Sequence, residues 1–103
     1  MIIEKEESER AVSKGVEINI PSFLRHLTDS TARSYVVGGT IGACLAQLVG
    51  LYPRLGPRLF RAEGELSHDL NLYLNGVQVN PDELSRPVKE GDKLYIAHVI
   101  IGG

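Results

Sequence analysis

Val16, Ile18 and Ile20 alternate with Glu17 and Asn19. A period of two predicts a strand with one buried face. Pro21 cannot donate to a ladder, so it belongs at the strand's edge or end, and Phe23 and Leu24 are expected to prolong the strand past that break. Thr28-Asp29-Ser30-Thr31 is turn chemistry, and Ser34 to Val37 reads as a second strand in a hairpin with the first. The period then changes. Ile41, Cys44, Leu45, Leu48, Val49 and Tyr52 recur at helical spacing as one apolar stripe, and Thr40 is placed to cap it. Gly42 and Gly50 each cost roughly 1 kcal/mol against Ala inside a helix, so this helix depends on tertiary packing. Pro53 ends it.

Arg54 to Arg61 reads as an irregular or short helical stretch, with Arg54, Arg58 and Arg61 around Leu55, Leu59 and Phe60, and Glu63-Gly64-Glu65 as a loop. Leu70, Leu72 and Leu74 alternate with Asn71, Tyr73 and Asn75, which predicts a third strand. Asn75-Gly76 is a type I′ turn signal leading into Val77 and Val79. Pro81 to Pro87 connects, with room for one helical turn at Asp82-Glu83-Leu84, and Glu90-Gly91-Asp92 turns into a last strand from Lys93 to Ile101. Two strands, a helix, two strands and a final strand call for one main helix packed across a mixed sheet, an α+β fold.

At 103 residues the chain has room for one domain. Met1 to Gly15 holds four Glu, two Lys and one Arg among few apolar residues, so residues 1–15 are expected to form a flexible charged extension, with residues 16–103 as the folded domain. That start has neither the basic region nor the apolar core of a signal peptide. No apolar run reaches the ~18–20 residues of a bilayer-spanning helix, so no membrane partner is expected. The net charge of -2 argues against a general nucleic-acid binder, which would carry a basic excess. One cysteine excludes an internal disulfide and a thiolate-rich metal site, and makes a reducing cytoplasm the expected location. Cys44 falls on the helix stripe and reads as a core thiol. His26, His68 and His98 have no metal-ligand spacing, and no Ser–His–Asp order, P-loop or dinucleotide fingerprint is present.

Chemistry therefore concentrates at the end of the chain. Gly102-Gly103 says little alone, but it follows Val99-Ile100-Ile101, an apolar strand end that would invite aggregation if left uncovered. With the Thr40 helix start, the Asn75-Gly76 hairpin and Glu90-Gly91-Asp92 before the last strand, this ending resembles the ubiquitin-like β-grasp sulfur carriers over about Val16 to Gly103. That group includes the small subunit of molybdopterin synthase, the thiazole sulfur carrier and the carriers of bacterial cysteine biosynthesis. The last look closest, through Ile20-Pro21 with Leu24-Arg25, Tyr52-Pro53, Arg58-Leu59, and Asn71 with Tyr73 and Asn75. Many members carry prolines just before the tail. Here Ala97 and His98 stand there, which allows the strand to run further.

The resemblance implies a carrier rather than an enzyme. An ATP-dependent E1-like activating enzyme would adenylate Gly103, a thiocarboxylate would replace the adenylate, and a sulfur-accepting synthase would take the sulfur for cysteine or a related sulfur amino acid. The adenylate and thiocarboxylate are transient modifications, and no stably bound cofactor is implied. Gly102, Ile101, Ile100, Val99 and His98 are the residues expected to meet partners, with Gly103 the reacting group. Glycines suit this, since without Cβ they let a narrow channel close around the chain. Two alternatives stay open within the resemblance: a molybdopterin synthase small subunit and a ubiquitin-like protein modifier. Outside it, the apolar tail could serve a plain interaction module as an added strand.

Overall fold

The strand that carries the tail lies in the middle of the sheet. In this computed structural model the residues described are 15–99, so the expected extension over residues 1–14 and the tail residues Ile100, Ile101, Gly102 and Gly103 lie outside them. The strands are β1 (Val16–Asn19), β2 (Arg33–Val36), β3 (Leu70–Leu74), β4 (Val77–Val79) and β5 (Lys93–His98). They form one mixed sheet in the order β2-β1-β5-β3-β4. β5 runs parallel to β1 and antiparallel to β3, and the outer pairs β1–β2 and β3–β4 are antiparallel.

The alternation in the sequence fixes one buried face. Val16, Ile18, Val36, Leu70, Leu72, Val79, Leu94 and Ile96 point into the core. Against them lies α1 (Ile41–Leu51), whose stripe buries Ile41, Cys44, Leu45 and Leu48, with Val49 and Tyr52 half-buried beside them. The start of α1 leaves backbone N–H groups without helical partners. The Thr40 hydroxyl accepts from the Ala43 N–H at 3.1 Å. The loop before β5 accepts two more: Ile41 N–H donates to the Arg86 carbonyl (3.0 Å) and Gly42 N–H to that of Leu84 (2.7 Å). Residues 82–84 form no helical turn, and their loop closes over the start of α1 instead. Gly38 lets the chain enter the helix closely, since a Cβ there would lie 3.0 Å from the Cys44 nitrogen and 3.1 Å from its sulfur.

Two strand expectations are corrected. Phe23 and Leu24 do not extend β1. They sit in a 3-10 helix, Ser22–Leu27, opened by Pro21 and held where the Arg25 Nε donates to the Ile20 carbonyl at 2.9 Å. Leu24 is fully buried from this helix, which a strand leaving Pro21 would not achieve. The hairpin pairing of β1 with β2 stands, but residues 20–32 come between the strands. β5 also stops short, at His98, before the expected Ile101. β3 begins only at Leu70, after a turn in which the Leu70 N–H reaches the Ser67 carbonyl, and β1 pairing ends at Asn19–Tyr95. Beyond His98 neither neighbour continues among the described residues. After α1 come a 3-10 turn, Pro53–Leu55, and the short α2 (Gly56–Leu59), which bury Leu55 and Leu59. Asn75 and Gly76 both have positive φ (53° and 87°), as a type I′ turn requires.

Candidate functional site

The two site residues within the described chain, His98 and Val99, form the root of the tail. His98 follows the parity of Leu94 and Ile96, so its side chain lies on the helix side of the sheet, exposed at the edge of the core. Its ring stacks on Phe23 at 4.9 Å between centroids with a 55° tilt. Its Nε2 lies 3.9 Å from the Asp69 carboxylate. Val99 is half-buried, and its N–H donates to the main-chain carbonyl of Asp69 at 2.9 Å.

In the sequence Asp69, like Glu65, has no paired acid that looks catalytic, and it carries no assigned role. Its carboxylate accepts a hydrogen bond from the Ser67 hydroxyl and faces the Arg58 guanidinium at 3.6 Å. The Ser67 hydrogen bond, aided by the charges of Arg58 and His98, holds its carboxyl below the usual carboxylate range. Arg61 of the same stretch is also engaged locally, pairing with Glu65 at 3.0 Å and meeting His68 at 2.9 Å.

The opposite face of the sheet carries Arg33 and Tyr35 on β2, Glu17 and Asn19 on β1, Lys93, Tyr95 and Ala97 on β5, and Asn71 and Tyr73 on β3. No helix covers it among the described residues. An open groove runs over Tyr73, Lys93, Tyr95 and Ala97, and a second lies beside it at Asn19, Arg25, Arg33 and Tyr95. Tyr95 lines both and is 43% exposed. The signal for this face was present in the sequence as tyrosines at the polar positions of alternating strands. It went unread because alternation was used to find the core side.

Cys44 is buried, its Sγ 3.8 Å from the Gly38 carbonyl, and burial pushes its thiol up. A raised thiol on the core side of α1 is unreactive packing. Among the described residues no group of three His, Cys, Asp or Glu is placed to hold a metal, and no helix is long and apolar enough to cross a membrane.

A mixed sheet in this order, with one main helix across one face and the tail strand central between β1 and β3, defines a ubiquitin-like β-grasp domain. No protein-family model matches the chain. The sulfur carrier protein CysO of Mycobacterium tuberculosis is 29% identical over 91 residues, covering 85% of this chain and 98% of that protein. The matched chain in the crystal structure of the Amycolatopsis orientalis BexX/CysO complex superposes with a TM-score of 0.76 at 28% identity, over 85% of this chain and 99% of that one. SAMP1 from Haloferax volcanii superposes with a TM-score of 0.70 at 32% identity, over 86% and 99% of the two chains. The chain has the ubiquitin-like β-grasp fold and resembles the sulfur carriers built on it, CysO among them.

Proposed function

We infer that this protein carries sulfur on its C-terminal glycine. The carboxylate oxygen of Gly103 attacks the α-phosphorus of ATP within an E1-like activating enzyme, and pyrophosphate leaves. A sulfur nucleophile at the sulfide level then displaces AMP from the acyl carbon, giving a thiocarboxylate. A sulfur-accepting synthase takes the sulfur from it, with cysteine or a related sulfur amino acid as the product. Adenylation turns a poor leaving group into a good one and divides a hard substitution into easier steps. The partners supply the catalysis. The observation that carries this reading is the Gly102-Gly103 end four residues beyond His98, on a domain of CysO likeness. The complex of CysO with BexX supports a carrier of this fold working seated on a partner, and the open face around Tyr95 and Tyr73 is the surface offered for it.

With its cognate activating enzyme and ATP, the protein should support pyrophosphate exchange, and sulfur loading should replace one oxygen by sulfur in the intact mass. Exchange that persists after removal of Gly103 would overturn the assignment. A second reading, a protein modifier, is favoured by the likeness to the small archaeal modifier protein 1 of Haloferax volcanii, 32% identical. Isopeptide-linked Gly102-Gly103 on target lysines, with no thiocarboxylate form, would select it.

A further inference from the structure

β5 loses β1 after Tyr95 and β3 after His98, yet the chain there is held from three directions. The Val99 N–H reaches the Asp69 carbonyl at 2.9 Å. His98 lies between the Phe23 ring and the Asp69 carboxylate. Asp69 thus meets the root of the tail twice, through its main chain at Val99 and its side chain at His98. It is braced in turn by the Ser67 hydroxyl from its own turn and by Arg58 from α2. No other described residue contacts both His98 and Val99 by polar groups.

We propose that Asp69 is the positioning residue of the tail: braced by Ser67 and Arg58, it pins His98 and Val99 and sets the direction in which the remaining residues leave the domain. The consequence for catalysis rests on the reading of Gly103 as the reacting terminus. Four residues drawn straight span about 13 Å at ~3.3 Å each, so a swing of about 20° at the root moves their end by about 4–5 Å. Misplacement of about 1 Å can already cost a hundredfold in rate. A fixed root therefore presents the terminus to the activating enzyme in few orientations, while docking through the sheet face is left unchanged.

Two variants of the full chain test this. In Asp69→Ala, the Val99 amide should exchange its hydrogen about tenfold faster, with the Leu94 and Ile96 amides at the parent rate. The kcat of Gly103 adenylation should fall about fivefold with KM for the carrier within about twofold. Asp69→Asn still accepts from the Ser67 hydroxyl, and it should recover both readouts to within about twofold of the parent. Parent-like exchange at Val99, uniform acceleration along β5, a change in KM alone, or failure of Asn to rescue would each overturn the proposal. A parent that is not adenylated at all would defeat the reading of Gly103 instead, and the exchange measurement, which needs no partner, would still decide whether Asp69 anchors the root.

Discussion

At the start of β5, Asp92 is 6% exposed, and its carboxylate accepts from the Asn75 side-chain amide (3.0 Å) and the Lys89 N–H (2.9 Å). Its carbonyl accepts from the Glu17 N–H, while Asn75 also accepts from the Lys93 N–H. At the end of β5, Asp69 makes a comparable set of contacts with a side chain that is 40% exposed. Both carboxyls are held below the ordinary range, Asp92 chiefly by the Asn75 hydrogen bond and Asp69 chiefly by that of Ser67. Burial separates their roles. The buried knot joins the β3–β4 turn, β1 and β5, so disturbing it disturbs the register of the sheet. The exposed knot can loosen at the surface while the sheet stays paired, which suits the proposed role of the chain end.

The core beneath both knots can be broken first. Leu48→Ala removes a fully buried side chain at the centre of the α1 stripe and should cost about 2–5 kcal/mol in denaturant titration, weakening both ends together. Asp92→Ala comes next, at roughly 1.5–3 kcal/mol, because it removes a buried charged acceptor from the Asn75 and Lys89 donors. Asp69→Ala should stay within about 1 kcal/mol, as exposed charge pairs do. Equal losses at the two aspartates would erase the contrast. For the tail itself, Ile101→Asp should leave stability unchanged but lower activation at least about tenfold, or ~1.4 kcal/mol, because its charge would be desolvated against a partner. Parent-like kinetics would move recognition to the sheet face. The smallest effect is in acid. The folded value of Asp92 is depressed, so its contribution is present above the unfolded aspartate value of about 3.9 and is lost as pH falls through the folded value. Stability of the parent should therefore drop below about pH 4 more steeply than that of Asp92→Asn. Identical acid limbs would remove Asp92 as the cause.

The strands, the helix stripe and the Asn75-Gly76 turn were legible because each is a local pattern: alternation, helical spacing, or positive φ at two named residues. Phe23 and Leu24 were misread because a short apolar pair after Pro21 fits a strand or a 3-10 turn equally well by periodicity. The Leu84 and Arg86 carbonyls serve a helix some 45 residues earlier in the chain, and no local pattern announces that. The site divided in the same way. Gly102 and Gly103 stand out as sequence, whereas Asp69 becomes visible only once folding places it beside His98 and Val99. Asp92 read simply as a turn residue because its partner Asn75 is 17 positions away.

The central place of β5, parallel to β1 and antiparallel to β3, also decides how the domain bears mechanical load. A pull on the tail acts along β5. The hydrogen bonds to both neighbours lie across that direction and are loaded together in shear, not unzipped one after another as at an edge strand. Under the proposed function, a partner that draws on the chain end would pull against the sheet as a single clamp.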